Sequence, residues 1–195
     1  MTATTPWPVL DRAHAALRTV VADLTAADLD RPTPCTEWNV TQVLQHAAGD
    51  QRAYAAAITG HDGPTENPFE PSGTLDGTPA ALVEPALVAS AGAFATVTAD
   101  ASTPTPLPQG SLPAPVAVGA AALDAAVHAW DVAVAAGRPS PLDDALAADL
   151  LPVARSIVEP LRQYGAYAPA LDPARGDGPS AELLRYLGRN PAWTA

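Results

Sequence analysis

The amino-acid sequence predicts an all-α protein in which four helices form a bundle and one or two further helices follow at the C-terminal side. Apolar residues recur with helical periodicity, and signals for helix starts and stops punctuate the chain. No stretch alternates apolar and polar residues, as a strand would, for more than a few positions. The 195 residues, of which 48% are hydrophobic, suffice for a core and indicate a single domain over residues 1–195.

The first two helices are predicted from their apolar faces. Apolar or boundary side chains at i, i+4, i+7, i+11 and i+14 predict a first helix over Pro8–Leu24. These positions are Leu10, His14, Leu17, Val21 and Leu24. A second helix is expected to begin at an Asn39 cap, with Gln42 as the capping-box partner. Gly49 or Gly60 is expected to bound that helix.

The middle of the chain predicts two more helices separated by loops. Residues 61–78 are rich in Gly, Pro and acidic residues and are expected to form a long loop of the kind that is often functional. A third helix is predicted over Pro79–Ala99, and a Pro-rich connection over Thr103–Pro113 follows. The fourth helix, Ala114–Ala136, is the longest and richest in Ala. Gly137 is expected to end it in a left-handed conformation.

The C-terminal third predicts one or two added helices. A fifth helix is expected to begin with a Ser140 cap, a Pro at the first helical position and an Asp at the third. Proline chemistry predicts an interruption or kink near Pro152, and the helix is expected to end by Gly165. A short last helix is predicted over residues 180–188.

Charge and composition exclude several classes of function. The net charge is −11, and the ten basic residues, all Arg, form no visible stripe. Such a chain is not expected to bind nucleic acid or an anionic membrane surface. No apolar run is long enough for a membrane span, and no signal peptide is recognised. A single Cys excludes an internal disulfide and a multi-Cys zinc site. These features favour an acidic cytoplasmic protein.

Histidines are the most informative residues for chemistry. Asp124 and His128 are four residues apart, so they project from one helix face, and Asp131 continues the stripe. A carboxylate and an imidazole at this spacing can grip one divalent ion, and a ligand from a neighbouring helix completes a three-ligand set with open positions. His46 lies on the predicted second helix. The alternative for such a pair is a local hydrogen bond without metal.

The other candidate residues have simpler interpretations. His14, on an apolar face, is expected to be a satisfied core or boundary residue, and His61 to be exposed. Trp38 and Trp130 are most simply core anchors. Cys35 is most simply a small buried side chain, and the alternative is a thiol whose pKa is lowered by its place before a helix.

Three segments resemble a known family. They are PTPCTEW followed by VTQVLQHAAG in residues 32–49, DAAVHAWDVAVAAGRP in residues 124–139, and LLRYLGRNPAW in residues 183–193. Together they resemble the mycothiol-dependent maleylpyruvate isomerase family, and in particular its small actinobacterial-type metal-binding proteins. The metal-binding domain of that family belongs to the DinB-like superfamily of four-helix bundles, so the resemblance implies a DinB-like fold.

The resemblance also implies a metal site. The family uses one His late in the second helix and a Glu-x-x-x-His pair on a later helix, which correspond to His46, Asp124 and His128. The implied ion is divalent, with Zn²⁺ expected. This chain has Asp where the family usually has Glu, so the carboxylate is one methylene shorter, and the ligand role could pass to Asp131. The additional C-terminal domain of the full isomerase is not expected in 195 residues.

Three functions follow as hypotheses. The preferred one is a metal-assisted transferase or isomerase that uses mycothiol or a related low-molecular-weight thiol with a small electrophile. Its open, partly apolar pocket is expected beside Trp38, Trp130 and the 61–78 loop, and Asp131 would orient a ligating His or pair with an Arg from the N-terminal side. The alternatives are a non-catalytic metal-binding or stress-related protein, and an interaction module whose metal site has decayed.

Overall fold

The computed structural model describes residues 5–195, and the all-α prediction is confirmed there. The described part of the chain forms six α-helices, a 3-10 turn at Ala26–Asp28 and one pair of two-residue strands. The helices are α1 Pro8–Ala22, α2 Val40–Thr59, α3 Pro79–Phe94, α4 Ala114–Ala135, α5 Asp144–Arg162 and α6 Pro179–Tyr186. The strands β1 (Ser102–Thr103) and β2 (Leu112–Pro113) pair antiparallel in the Pro-rich connection.

The first four helices pack as a bundle in which α1 and α2 each contact both α3 and α4. The fifth helix packs on α4, and α6 packs on α5. Helix α4 is buried on nearly all sides, as expected for a helix that is apolar all round. It is long and apolar enough to cross a membrane, but 89% of its most apolar 18-residue stretch is buried inside the fold. It is therefore the central core helix, and it adjoins α2.

The predicted start of α2 is confirmed. The side chain of Asn39 accepts a hydrogen bond from the backbone N–H of Gln42 at 2.9 Å, and the Gln42 side chain accepts one from the backbone N–H of Asn39 at 3.0 Å. This reciprocal capping box satisfies two backbone donors at the helix start. The helix continues past Gly49 and ends at Gly60. Gly137 adopts the left-handed conformation predicted for the end of α4, with a φ of 68°.

The predicted start of the fifth helix is wrong by three residues. Asp143 is the cap, and its Oδ1 accepts the backbone N–H of Leu146 at 2.7 Å. The Ser140 hydroxyl instead accepts the backbone N–H of Leu142 at 3.2 Å in a local turn. Ser140 and Asp143 are both residue types that cap helices. The helix begins after Asp143 because the Asp143 side chain accepts the backbone N–H three residues further along the chain. The helix then runs through Pro152 without interruption, because its buried apolar face compensates for one missing backbone hydrogen bond.

The remaining differences concern helix ends. The first helix stops two residues before the predicted Leu24, and α3 stops at Phe94 rather than Ala99. The last helix covers Pro179–Tyr186 instead of residues 180–188. Helix ends fray and tighten into 3-10 turns, so periodicity locates them only to within a few residues.

Candidate metal site

Helices α2 and α4 bring His46, Asp124 and His128 together. One potential ligand atom from each lies within 4.8 Å of the other two. The Oδ1 of Asp124 lies 3.3 Å from Nε2 of His128 and 3.7 Å from Nε2 of His46. Neighbouring ligand atoms in a tetrahedral site with bonds of about 2.1 Å are about 3.4 Å apart. The cluster therefore has the size of a site for one small cation.

The hydrogen bonds of the two imidazoles fix which ring nitrogens face the centre of the cluster. Nδ1 of His46 lies 2.9 Å from the carbonyl oxygen of Pro68, and Nδ1 of His128 lies 3.0 Å from Oδ2 of Asp131. A carbonyl and a carboxylate oxygen only accept, so each Nδ1 donates. The neutral rings then direct their Nε2 lone pairs toward Asp124. When both rings are neutral, three acceptor atoms converge there, and in the absence of a metal a proton on Nε2 of His128 makes that nitrogen a donor to Asp124.

A buried chain of side chains orients Asp124 from behind. Oδ2 of Asp124 accepts from Nε2 of Gln51 at 3.3 Å, and Oε1 of Gln51 accepts from Nε2 of His14 at 3.0 Å. Gln51 is 0% exposed and His14 is 1% exposed. Burial lowers the pKa of His14 to about 4, so this imidazole is a neutral donor at pH 7. His14 is the satisfied core residue that the sequence predicted.

Electrostatics favour positive charge at the centre of the cluster. Burial, together with the neighbouring His128, lowers the pKa of His46 to about 4. Burial by itself would lower the pKa of His128, but the Asp124 charge and the hydrogen bonds to Asp124 and Asp131 raise it well above its ordinary value. Burial by itself would raise the pKa of Asp124, yet the facing imidazoles hold it below its usual range. The cluster therefore stabilises a cation, either a proton on His128 or a metal.

Asp131 lies on the opposite side of the His128 ring from Asp124. It is 0% exposed, and Arg189 donates to both of its carboxylate oxygens at 2.8 Å. The sequence predicted that Asp131 orients a His or pairs with an Arg. The structure shows both contacts, but the Arg comes from the C-terminal segment rather than the N-terminal side.

Cys35 belongs to the same polar cluster. Its Sγ lies 3.3 Å from Oδ2 of Asp131 and 3.3 Å from Nη2 of Arg189, so it is a half-buried polar contact rather than only a small apolar side chain. Cys35, His128 and Asp131 also satisfy the distances of a metal site. The guanidinium of Arg189 already supplies the cation there, which leaves the His46, Asp124 and His128 cluster as the stronger metal candidate.

Asp50 is a residue of this region that the sequence analysis missed. Its Oδ2 lies 3.7 Å from Nε2 of His46. Burial and the charge of Asp124 raise the pKa of Asp50 well above its usual range. The signal was present in the sequence, because Asp50 follows His46 by four residues on one helix. The same i, i+4 rule that selected Asp124 and His128 finds it.

Aromatic rings surround the His46 side of the cluster. The rings of Trp38 and Phe69 lie 4.7 Å and 5.3 Å from the His46 ring, centroid to centroid. Phe69, on the long loop, is 59% exposed. Trp130 is 2% exposed in the hydrophobic core, in agreement with its simplest interpretation, and His61 is exposed. The partly apolar wall therefore comes from the segment before α2 and from the loop.

A cavity of about 420 Å³ lies between α2, the long loop and the start of α3. Its lining includes Gly49, Arg52 and Pro68 but none of the three clustered residues. Both His46 and His128 are only 7% exposed. The expected pocket opening directly onto the cluster is thus not this cavity, although Pro68 contacts both the cavity and His46.

The fold and the cluster define a class: a helical bundle that carries a His, Asp and His set between two adjacent helices. Residues 10–133 match the family model described as the mycothiol maleylpyruvate isomerase N-terminal domain. The chain belongs to this family, which confirms the resemblance, and the three clustered residues lie within the matched segment.

Two relatives extend the similarity over nearly the whole chain. They are the uncharacterized proteins MT0763 and Rv0738 of Mycobacterium tuberculosis, from strains CDC 1551 / Oshkosh and ATCC 25618 / H37Rv. Each is 32% identical over 183 residues, covering 91% of this chain and 94% of the relative. No solved structure matches the chain.

Proposed function

We propose that the protein is a metal-dependent enzyme of small-molecule thiol chemistry. In this proposal His46, Asp124 and His128 hold one divalent cation, Zn²⁺, and mycothiol or a related low-molecular-weight thiol is a co-substrate in a transferase or isomerase reaction. Membership of the mycothiol maleylpyruvate isomerase N-terminal domain family supports the thiol. We further propose that residues 1–195 act as one domain in the cytoplasm, where such thiols are kept reduced.

The convergence of three acceptor atoms carries this proposal. The Nε2 lone pairs of His46 and His128 face Oδ1 of Asp124 at 3.7 Å and 3.3 Å, and each Nδ1 proton is already directed to another acceptor. Acceptors that face one another in a buried site repel unless a cation lies between them, and here that cation is either a proton on Nε2 of His128 or a metal ion. Two imidazoles and a carboxylate are also a set that Zn²⁺ binds readily.

The same contacts favour Asp124 over Asp131 as the carboxylate ligand. Both oxygens of Asp131 accept from Arg189, and one also accepts from Nδ1 of His128. Asp131 therefore contacts the Nδ1 edge of the His128 ring, which does not face the cluster. Asp124 keeps one oxygen directed at both imidazoles because Gln51 holds the other.

The chain's own residues would prepare the site for a thiol. A bound divalent cation would favour the thiolate form of the co-substrate at neutral pH. Asp124 brings a single negative charge, and Pro68 and Asp131 keep both imidazoles in the ligating tautomer. The rings of Trp38 and Phe69 give the His46 side of the site an apolar wall.

The direct test is metal analysis of purified protein followed by Zn²⁺ titration against a competing chelator. The variant His46→Ala should lose most of the bound metal, because it removes one of three ligands. His61→Ala is the matched control, since His61 is exposed on the loop, and it should bind as the wild type does. A wild-type protein that binds no divalent metal at micromolar concentration contradicts the proposal.

A metal-binding protein without catalysis is the second candidate. The observation that favours it is the low exposure of His46 and His128, 7% each, with the neighbouring cavity lined by other residues. Protein loaded with Co²⁺ separates the candidates. Added mycothiol, or cysteine as a smaller thiol, should produce a sulfur-to-cobalt charge-transfer band if the thiol reaches the metal. No band and no turnover of small electrophiles would favour the binding protein.

A further inference from the structure

The chain after α6 turns back toward the candidate metal site. Gly188 has a φ of 80°, a left-handed conformation, and a Cβ at this position would meet the carbonyl oxygen of Ala168 at 2.8 Å. The backbone N–H of Arg189 donates to the carbonyl of Leu184 at 2.8 Å, which closes the helix end. This turn directs the Arg189 side chain to α4. The segment lies outside residues 10–133, the part that matches the family model.

Arg189 forms a two-point ion pair with Asp131. Nε donates to Oδ1 and Nη2 donates to Oδ2, both at 2.8 Å. The Arg189 side chain is 10% exposed and that of Asp131 is 0% exposed. Burial by itself would raise the pKa of Asp131, but the Arg189 charge and its hydrogen bonds hold it well below its usual range. A planar guanidinium fork of this kind fixes the orientation of a carboxylate as well as its charge.

The orientation of Asp131 in turn determines what His128 presents to the cluster. Oδ2 of Asp131 accepts from Nδ1 of His128 at 3.0 Å. This bond keeps a proton on Nδ1, so Nε2, which lies 3.3 Å from Oδ1 of Asp124, is the ring nitrogen left to bind a metal. A fully buried carboxylate that lost its guanidinium partner would carry an uncompensated charge. Its fixed direction toward Nδ1 would then be lost.

We propose that Arg189 is a positioning residue of the metal site, which acts through Asp131 to hold His128 in its ligating tautomer and ring orientation. The C-terminal segment is therefore part of the metal centre. This inference rests on the proposed function, because it assumes that His128 is a ligand. Hydrogen-bonded groups behind metal ligands typically change metal affinity by about 10–100-fold when removed.

The experiment compares three variants by Zn²⁺ affinity, measured by chelator competition at a temperature where every variant is folded. Arg189→Gln removes the charge and the fork, whereas Arg189→Lys keeps the charge and loses the fork. Arg185→Gln is the matched control, because Arg185 on α6 pairs with Asp177 at 2.8 Å. Thermal unfolding is recorded for each metal-free protein, and the ¹⁵N shifts of the His128 ring are recorded for each Zn²⁺-saturated protein. These shifts report which ring nitrogen binds Zn²⁺ and which one keeps its proton, and a purely structural role of Arg189 would not change them.

We expect Arg189→Gln to weaken Zn²⁺ binding by about 10–100-fold and to mix the two tautomers of His128. The Zn²⁺ affinity of Arg189→Lys should fall between those of Arg189→Gln and the wild type, and the affinity of Arg185→Gln should equal that of the wild type. Should Arg189→Gln fail to fold, a several-fold loss in Arg189→Lys but not in Arg185→Gln supports the inference. If a folded Arg189 variant keeps the wild-type Zn²⁺ affinity and the wild-type ring shifts, the inference about Arg189 is wrong and the proposed function is not affected. A wild-type protein that binds no Zn²⁺ overturns the proposed function and this inference together.

Discussion

At the residue scale, two carboxylates lie equally close to His46 but are placed differently. Asp50 and Asp124 each have an oxygen 3.7 Å from Nε2 of His46, and only Asp124 also lies 3.3 Å from Nε2 of His128. The oxygen of Asp124 is shared between two imidazoles. This difference separates a proposed ligand from a neighbour.

We therefore predict that Asp124→Ala removes most of the bound metal and that Asp50→Ala, the matched control, retains it. Asp124→Glu should retain or improve metal binding, because Glu keeps the charge and the oxygen ligands on a side chain that is one methylene longer. Bound Zn²⁺ per protein after dialysis, measured by elemental analysis, checks all three variants. Loss of metal in Asp50→Ala and not in Asp124→Ala would reverse the assignment.

His14 makes a prediction about pH dependence. Its pKa is about 4 in the folded protein, lowered from 6.5 by burial, so the unfolded chain takes up this proton first as the pH falls. The contribution of neutral His14 to the free energy of unfolding is fully present above pH 6.5, and it is lost as the pH falls from 6.5 to 4. The difference corresponds to about 3 kcal/mol.

His14→Gln, which keeps a donor toward Gln51, should make metal-free stability less dependent on pH in this window. His46, whose pKa is also about 4, still makes its own contribution to the pH dependence of stability in the variant. Urea unfolding at pH 7 and pH 4.5 measures the change, with His61→Gln on the exposed loop as the control. Equal pH dependence in His14→Gln and the wild type would contradict the prediction.

At the element scale, the long loop and α2 touch where Gly49 faces Pro68. A Cβ on Gly49 would lie 2.8 Å from Cγ of Pro68, and the carbonyl of Pro68 accepts the Nδ1 proton of His46 at 2.9 Å. The missing side chain therefore lets the loop come close enough to orient a proposed ligand. This contact ties the position of the loop to the geometry of the site.

Gly49→Ala should displace the loop and weaken metal binding, by about 10–100-fold if the His46 hydrogen bond is lost. Gly92→Ala is the matched control on α3, because a Cβ there meets nothing within 4 Å. The control should raise stability by about 0.5–1 kcal/mol through helix propensity and leave metal affinity unchanged. Chelator competition and thermal unfolding of both variants give the two readouts. Unchanged affinity in Gly49→Ala would show that the loop does not position His46.

At the scale of the whole molecule, the metal site is a small part of what holds the bundle together. The hydrophobic core runs through α1 to α6, and α4 is buried along almost its full length. We expect a protein with such a core to fold without a metal, unlike a zinc finger. The ion would stabilise the folded state only through its binding free energy.

Removal of metal with a chelator should therefore leave the helical circular dichroism intact and lower the thermal midpoint by an amount that depends on metal concentration. Zn²⁺ added back should restore the midpoint, and His46→Ala should show no such recovery. Loss of most of the helical signal on chelation would show instead that the metal is structural.

The amino-acid sequence by itself determined the helices and two of the three clustered residues, Asp124 and His128. Periodicity and local capping, as at Asn39, act over a few residues and so are readable from the chain. The pairing of Asp124 with His128 is equally local, since four residues on one helix suffice to place both on one face. Asp50 was open to the same rule. Where two local signals competed, as at Ser140 and Asp143, the sequence did not decide the helix start.

Only the tertiary structure decided what surrounds these residues. The approach of His46 to α4, the Gln51 contact to Asp124 and the Arg189 contact to Asp131 join positions 58 to 78 residues apart. Such contacts depend on how helices pack against each other, and spacing along one helix carries no information about them. The direction of Asp131 away from the cluster, and therefore the preference for Asp124, follows from the guanidinium behind it rather than from its place in the stripe.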